Sequence, residues 1–382
     1  MLPPLTHWPV NWADGMKITR SHLLATDDAT RDLARDAAGS LLSGLDYGLL
    51  PPLAGQDTPL RLTCDGQSVV LSVCRAITPG GARIELSTEP ADALQLPLTA
   101  VREDWVRLGQ SVGYVIVDID PFSPSPHGQP DPSEEPLRYP FVRPALRLSA
   151  VPAVNLHTSL AAAYHLPVGK LRLTNGVFSL ADNYLPPVRA VGSLPDYRDL
   201  YHNLRKRLGE LLTYATAILI RVRTNARSGQ PNALATSIGY VAEACLLCLG
   251  DQLDMFQLRG LHDAPVGLVG TGKRLARQLQ IAIMSTPDRE REAMFSYIKN
   301  WTSVTPVEWE TALQEMLDTP YEHADCQPVM SAFVRLNDCL IRLLSKLSDL
   351  NYLERSKDEF FVDKQDVPAP KPAGVRSGFW SR

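Results

Sequence analysis

The chain has 382 residues, of which 45% are hydrophobic and 21% are charged, close to the averages of soluble globular proteins. This length and composition exclude a single small module and a globally disordered chain, and they predict two or three domains with cores of their own. Lysine and arginine total 38 against 42 acidic residues, a formal charge of -4, which argues against nucleic acid as a partner.

The sequence shows no pattern of membrane insertion or export. No stretch reaches the roughly 18 uninterrupted apolar residues of a transmembrane helix, and the N-terminus lacks a basic region followed by an apolar run. Six cysteines are too few for a disulfide scaffold in a chain of this length. We therefore expect a soluble, cytoplasmic protein with reduced thiols and no direct membrane insertion.

The first predicted element is a helix over residues 17–45, and its apolar face would consist of Leu23, Leu33, Ala37 and Leu41. Over residues 61–191 the apolar residues instead alternate or form short β-branched runs, which predicts strands. The strand-length segments are RLTCDG, SVVLSVCRAIT, ARIELS, GYVIVDID, ALRLSAV and KLRLTNGVFSL. Turn residues separate them, and Asn175-Gly176 between two alternating runs predicts a tight hairpin. The first half of the chain is therefore predicted to be an antiparallel β-sandwich or barrel.

Prolines interrupt this pattern in two places, residues 121–144 and the segment after residue 363. Proline removes a backbone donor and fixes φ, so neither segment can be a helix interior or a central strand. The first segment is predicted to be a long excursion between strands. The second predicts a disordered tail over residues 356–382.

After residue 193 the period of the apolar residues changes to that of a helix. Steps of four and three, the a/d repeat of helices that pack against near-parallel neighbours, connect Tyr197, Tyr201, Leu204, Leu208, Leu211, Ala215, Ile218 and Val222. The same rhythm recurs at Leu234, Ile238, Val241, Cys245 and Cys248, and again at Phe333, Leu336, Leu340, Leu343, Leu347 and Leu350. Three such seams predict an α-helical bundle. A capping box at Thr305 to Glu308 and a proline at 328 predict two helix starts within it.

Residues 267–273, GLVGTGK, satisfy the GxxxxGK spacing of a phosphate-binding loop. Arg274 occupies the position of the hydroxyl that binds magnesium, and the preceding HDAPV is too short to be the required buried strand. The segment is therefore interpreted as a glycine-rich turn between helices, in which Lys273 is dispensable.

No other motif indicates chemistry. Cys245 and Cys248 have CxxC spacing, but both fall on an apolar helical seam, where cysteine behaves as a small hydrophobe. The eight histidines form no HxH, HxxxH or HExxH pattern. We therefore predict a protein that is not an enzyme and has no catalytic residue, no cofactor and no metal.

The two ends of the β region resemble a known family. The sequence VNWADGMKI at residues 10–18, followed by His22-Leu23 and Asp27-Asp28, is similar to the opening of the TssK family, a baseplate subunit of type VI secretion systems. The resemblance continues with YGLL at 47–50, Phe178, Leu180, YLPP at 184–187 and Ser193-Leu194. It covers residues 1 to about 230, and its elements occur in the order of the family.

This resemblance implies a trimeric adaptor rather than an enzyme. Residues 1–192 would form a shoulder domain similar to that of phage receptor-binding proteins, which docks on the baseplate wedge. Residues 193–285 would form a helical neck that trimerises. Residues 286–355 would be a helical region where the family has a head that contacts the membrane complex, and this chain is shorter there.

The resemblance also implies partners and contact residues. The partners would be two further copies of the chain, the wedge subunits TssF, TssG and a TssE-like protein, and a membrane-complex anchor at the inner face of the envelope. The apolar strip of the N-terminus predicts wedge contacts at Leu2, Leu5, Trp8, Trp12 and Met16. The unbroken 4-3 repeat predicts trimer contacts at Tyr201, Leu204, Leu208, Leu211 and Ile218.

Two alternatives stay open at the level of sequence. The β region could belong to a tail-spike-like module that holds a saccharide, which a titration with soluble glycans would reveal. A nucleotide-dependent enzyme could use the 267–273 segment, which binding of ATP or GTP with magnesium would reveal.

Overall fold

Helix α1 (Arg20–Ser40) and two antiparallel sheets form the first half of the chain. They are seen in a computed structural model that describes residues 2–86, 93–160, 162–227 and 232–350. The strands of the first sheet are β1 (Gly48–Leu49), β2 (Leu60–Cys64), β3 (Ser68–Ile77), β4 (Arg83–Leu86) and β5 (Leu94–Pro97). Strand β3 is central, because β1 and β2 pair along one edge and β4 and β5 along the other.

The second sheet has the order β7-β6-β8-β9. A helix, α2 (Thr99–Arg107), leads into it, and its strands are β6 (Val112–His127), β7 (Phe141–Pro152), β8 (His165–Thr174) and β9 (Val177–Leu180), with the short helix α3 (Leu156–Leu160) between β7 and β8. The two sheets touch closely, since a Cβ on Gly169 of β8 would lie 2.4 Å from Leu62 of β2. The predicted hairpin is confirmed: Thr174 pairs with Val177, and Asn175 and Gly176 both have positive φ, 52° and 78°.

The proline-rich excursion predicted for residues 121–144 is in part a β-ribbon. Strand β6 continues to His127, and after an irregularity between Asp120 and Pro124 it pairs with β7 from Pro124↔Pro144 to His127↔Phe141. Strand β8 stops pairing at Asp118, so beyond that point the ribbon has two strands. The prolines are compatible with this ribbon because each of its strands needs hydrogen bonds on one edge only.

Six helices form the second half of the described chain: α4 (Pro195–Arg227), α5 (Ala233–Arg259), α6 (Pro265–Met284), α7 (Asp288–Trp301), α8 (Pro306–Asp318) and α9 (Gln327–Asp349). Helix α4 packs between α5 and α9, and α6 packs between α5 and α8. The predicted helix starts are confirmed, because Thr305 Oγ1 accepts a hydrogen bond of 3.1 Å from the Glu308 amide and a proline opens both α8 and α9.

Most of the buried apolar residues of the two halves belong to one continuous cluster that extends from Tyr47 to Leu347. The division into domains at residues 192 and 285 stays a prediction. Among the described helices, α5 is long and apolar enough to cross a membrane by length and composition, with a mean hydropathy of 1.6 over its most apolar window, and 50% of that window is buried by the rest of the chain. The predicted disordered tail, residues 356–382, lies outside the described residues.

Candidate protein-docking site

Helix α1 turns its leucines towards solvent. Leu23, Leu33 and Leu41, three residues of the predicted apolar face, are 55%, 66% and 78% exposed, and Ala37 is exposed as well. The buried side of the helix instead carries Ala29, Asp32, Arg35 and Gly39. The prediction of the helix is confirmed, and its apolar face lies in solvent rather than against the sheets.

The close approach of a turn explains why small and polar residues are buried. The turn between β3 and β4 reaches α1 at Gly80 and Gly81, and a Cβ on Gly81 would lie 2.3 Å from the Arg35 carbonyl oxygen. A Cβ on Gly39 would lie 3.1 Å from the Gly80 oxygen. Backbone packs on backbone here, so a leucine face would not fit.

A buried ion pair lies at the centre of this contact. The carboxylate of Asp32 and the guanidinium of Arg35 are 2.6 Å apart, and their side chains are 0% and 3% exposed. Asp32 Oδ2 also accepts hydrogen bonds from the amides of Thr6, at 2.8 Å, and His7, at 3.0 Å. Burial raises the pKa of Asp32, but these amides and the positive charge of Arg35 outweigh it and hold the pKa below its usual value.

These hydrogen bonds hold the N-terminal arm, residues 2–19, along α1. Leu2 lies against Gly39 near the end of the helix, and the ring of Trp12 contacts His22 near its start, with 6.0 Å between ring centroids. The arm therefore runs antiparallel to α1. The ring of His7 stacks at 4.1 Å on Phe122 of the second sheet, which fixes the middle of the arm.

The arm and α1 together present a surface rich in exposed apolar side chains, which we name the arm–α1 surface: Leu2, Leu5, Trp8, Trp12, Ile18, Leu23, Leu24, Leu33 and Leu41. Four of the five predicted wedge contacts belong to it, with Trp8 the most exposed at 71%. The fifth, Met16, is half-buried. Exposed apolar patches of this kind mark protein–protein contacts, and tryptophan is a frequent anchor residue in them.

Comparison with solved structures reveals the fold. The crystal structure of TssK aligns with a TM-score of 0.52 and 15% sequence identity, over 87% of this chain and 69% of that chain. The chain has the fold of TssK. TssK from the type VI secretion system of EAEC, in complex with a nanobody, aligns with a TM-score of 0.43 and 17% identity, over 82% of this chain and 96% of that one. No protein-family model and no curated protein matches the sequence.

A third similar structure comes from an assembly that contains TssK. The TssK–TssF–TssG baseplate subcomplex of the type VI secretion system aligns with a TM-score of 0.45 and 14% identity, over 87% of this chain and 100% of that chain. The alignment with the crystal structure of TssK confirms, at the level of the fold, the resemblance predicted from the sequence.

The five side chains predicted as trimer contacts in this TssK-like fold lie inside one chain. Tyr201 is 1% exposed, and Leu204, Leu208, Leu211 and Ile218 are each 0% exposed. Their seam on α4 faces α5 and α9 of the same chain, so the folded chain has no surface at these positions for another copy. Trimerisation stays a prediction, but these residues are not available to mediate it.

Apolar side chains on another helix are available instead. Helix α5 exposes Tyr240, Leu247, Met255 and Leu258, with Leu247 and Leu258 at 67% and 72%. This face was not evident from the sequence, because the more regular apolar spacing in α5 belongs to the seam that contains Ile238, Val241 and Cys245, and that seam is buried.

The GxxxxGK segment is helical rather than a turn, because residues 267–273 lie within α6. Its amides therefore take part in a helix and cannot converge on a phosphate. Lys273 donates hydrogen bonds to the carbonyl oxygens of Leu317, at 2.9 Å, and Thr319, at 2.8 Å, at the end of α8. The interpretation as a turn is wrong, and Lys273 has a structural partner that the sequence did not reveal.

The CxxC cysteines are buried, as predicted. Burial raises the pKa of Cys245 to about 12 and also raises that of Cys248, so both are thiols at neutral pH. Within the described residues no cluster of three or more histidine, cysteine or acidic side chains could hold a metal.

Sequence reasoning did not single out Asp32 and Arg35, which organise the arm. Their only signal was an acidic and a basic residue three positions apart among alanines, a pattern that exposed helix faces also show.

Proposed function

We propose that the chain is a non-enzymatic structural adaptor of a type VI secretion baseplate. It docks on wedge subunits of the TssF, TssG and TssE type through the arm–α1 surface, associates as a trimer through its helices, and links the wedge to a membrane-complex anchor. It acts in the cytoplasm, at the inner face of the envelope. The shoulder is the pair of packed sheets, as a sandwich similar to that of phage receptor-binding proteins, and the neck is the helical bundle.

The arm–α1 surface carries the proposal. Helix α1 exposes leucines to water while it buries an ion pair, so its outer face has a large exposed apolar area. A partner protein that covers this face would remove that area from water, which is favourable. The ion pair and the two amides that bind it hold Trp8 and Trp12 on a fixed strip beside the helix. Little conformational entropy is then lost when a partner binds, and affinity rises accordingly.

Replacing both tryptophans tests the docking role. We expect Trp8→Ala with Trp12→Ala to weaken binding to the cognate TssF–TssG pair at least tenfold, because each removes a large apolar anchor. Biolayer interferometry with immobilised wedge proteins measures the change. The matched control is Val307→Ala, an equally exposed side chain at 71% on α8, far from the arm along the chain. Unchanged affinity in the double variant would contradict the docking role.

For the trimer, we propose that the exposed face of α5 in one copy packs on the outer face of α4 in the next. The two helices are antiparallel within one chain: the hydroxyl of Tyr201, near the start of α4, donates to the carbonyl oxygen of Phe256, near the end of α5. Lys206 lies five residues after Tyr201 on α4, and Asp251 lies five residues before Phe256 on α5. Because the helices are antiparallel, both residues lie about 8 Å from that contact in the same direction along the helix axes. Both are exposed.

In a symmetric ring of copies, the equal height of Lys206 and Asp251 along the helices would bring these two charges together. A rotation about an axis parallel to the helices keeps every residue at its height, so Asp251 of one copy meets Lys206 of the next. The apolar side chains Leu247 and Leu258 flank this pair along α5, and Ile220, 62% exposed, lies further along α4. Apolar contact with one opposite-charge pair is the composition expected of a specific interface.

Light scattering coupled to size exclusion tests the trimer surface. We expect Leu247→Asp with Leu258→Asp to give monomers, because charges would be buried in the interface. Met284→Asp on α6, at a side chain 71% exposed, is the control and should remain trimeric. Lys206→Asp should weaken the trimer, and adding Asp251→Lys should restore it. A wild-type monomer at micromolar concentration, or a double aspartate variant that stays trimeric, refutes this surface.

A further inference from the structure

A cleft opens where the connection from β9 to α4 meets α9. It consists of two adjoining cavities of about 430 and 280 Å³, which share Asp182, Tyr184 and Asp196. We name it the junction cleft. Leu200 of α4 together with Met330 and Val334 of α9 supplies apolar lining in the larger cavity.

The free charge of the junction cleft is negative. Asp182 and Asp196 are exposed at its rim, and neither forms an ion pair with another described residue. The cations of the lining are already engaged: Arg335 Nε donates to Glu315 at 2.9 Å, and Lys170 Nζ donates to Asp325 at 2.7 Å. An apolar floor with two free carboxylates suits a short segment that combines aromatic and basic side chains.

The chain contains such a segment beyond α9. Residues 371–382, KPAGVRSGFWSR, have three cations, no acidic residue and the adjacent aromatics Phe379 and Trp380. Helix α9 ends beside α4, where Arg221 Nη1 donates to the Leu350 carbonyl oxygen at 3.0 Å. Met330 lies twenty residues earlier, roughly 30 Å back along the helix. The 28 intervening residues, 351–378, can span up to roughly 90 Å, so the segment can reach the cleft of its own chain.

We propose that the junction cleft binds the chain's own segment 371–382. Phe379 and Trp380 lie on the apolar floor, and Arg376 and Arg382 lie opposite Asp182 and Asp196. A tether of this length holds the segment at an effective concentration of roughly millimolar. The cleft is therefore filled in the free protein even when the isolated segment binds weakly.

Competition between a free and a tethered segment tests this proposal. The probe is a fluorescein-labelled peptide of residues 371–382, followed by anisotropy. The acceptor is the full chain with Phe379→Ser and Trp380→Ser, in which the tethered segment no longer competes. We expect saturable binding to this variant and at least tenfold weaker apparent binding to the wild-type chain. Equal binding to the two chains, or none to either, overturns the proposal.

Charge reversal locates the bound peptide. Added to the same variant, Asp182→Lys with Asp196→Lys should abolish binding of the peptide, and a peptide with Arg376→Glu and Arg382→Glu should recover it. Asp199→Lys is the matched control, since Asp199 is exposed on α4 but does not line the cleft. Recovery by the reversed peptide shows that the cleft variant is folded. Binding that survives the reversal at Asp182 and Asp196 overturns the assignment to this cleft.

Discussion

The arm is held in place chiefly by one carboxylate, that of Asp32. It is fully buried, lies 2.6 Å from Arg35, and accepts the amide hydrogens of Thr6 and His7. A buried ion pair adds little net stability by itself, because both charges lose their hydration. Its value here is positional, since the same carboxylate accepts two backbone amides of the arm and so fixes where the arm lies.

Removing the carboxylate should therefore destabilise the fold and free the arm. We expect Asp32→Ala to lower the free energy of unfolding by about 3–5 kcal/mol, because Arg35 would stay buried without its counter-charge. Urea unfolding measures the loss, and hydrogen exchange at Thr6 and His7 measures release of the arm. Asp28→Ala is the control, since Asp28 pairs with Arg31 at a partly exposed site on the same helix. This substitution should lower the free energy of unfolding by at most about 1 kcal/mol. Unchanged exchange at Thr6 and His7 would refute the positional role.

At the scale of elements, two glycines of α6, Gly270 and Gly272, lie in very different surroundings. A Cβ on Gly272 would lie 2.7 Å from the Phe333 ring of α9 and 2.9 Å from Met316 of α8, so this glycine allows three helices to approach closely. Gly270, two residues earlier, has no atom within 4 Å of that position. The glycines of GLVGTGK therefore serve helix packing at Gly272 rather than phosphate binding.

The two glycines predict opposite effects of one substitution. Gly270→Ala should raise the free energy of unfolding by roughly 0.5–1 kcal/mol, because alanine is the better helix former and nothing obstructs its methyl group. Gly272→Ala should lower it by about 1–3 kcal/mol, because the methyl group would press on Phe333 and Met316. Thermal and urea unfolding of the two variants provide the comparison. A stabilised Gly272→Ala variant would contradict the close packing of α6 on α9.

For the whole molecule, the connection between α8 and α9 ties the helical half to the sheets. His323 Nε2 lies 2.8 Å from the carbonyl oxygen of Tyr47, and its Nδ1 lies 2.6 Å from the hydroxyl of Tyr321. A carbonyl can only accept, so Nε2 carries a proton. Burial lowers the pKa of His323 and keeps the ring neutral at neutral pH, so Nδ1 accepts from the tyrosine. In the same connection, the carboxylate of Asp325 accepts from Tyr114 at 2.9 Å. The imidazole is therefore neutral and bridges the two halves.

This bridge predicts a dependence of stability on pH. Burial lowers the pKa of His323 below 6.5, despite the opposing effects of the Tyr47 carbonyl and the charge of Asp46. The unfolded chain then binds the proton more readily than the folded one, so the contribution of His323 is complete above pH 6.5 and is lost as the pH falls towards the folded pKa. Urea unfolding between pH 8 and 5 should show this decline. His323→Gln, which cannot titrate but can still donate to Tyr47, should reduce it; an identical decline in the variant would refute the assignment.

Local chemistry determined much of the fold. The turn at Asn175-Gly176 needs positive φ at two adjacent residues, and few other dipeptides provide it. Thr305 caps α8 because its hydroxyl is three residues from the amide that it accepts. The apolar seams of α4 and α9 could be predicted from the sequence because their spacing repeats over many helical turns. The similarity of short segments to TssK was also sufficient to predict the fold that the comparisons show.

The tertiary structure decided what lies against each element. The spacing of Leu23, Leu33 and Leu41 defines one side of α1, but the turn at Gly80 and Gly81 occupies the opposite side, so the leucines are left in water. The seam of Tyr201 and Leu204 is as regular as that of a trimeric neck, yet α5 and α9 of the same chain cover it. The periodic spacing of apolar residues in a sequence shows that a helix or strand has an apolar face. Whether that face packs against the same chain, packs against a partner or stays in water depends on contacts between residues far apart along the chain. The hydrophobic effect cannot decide this from the sequence, because it depends on the apolar area removed from water and not on which apolar neighbour covers it.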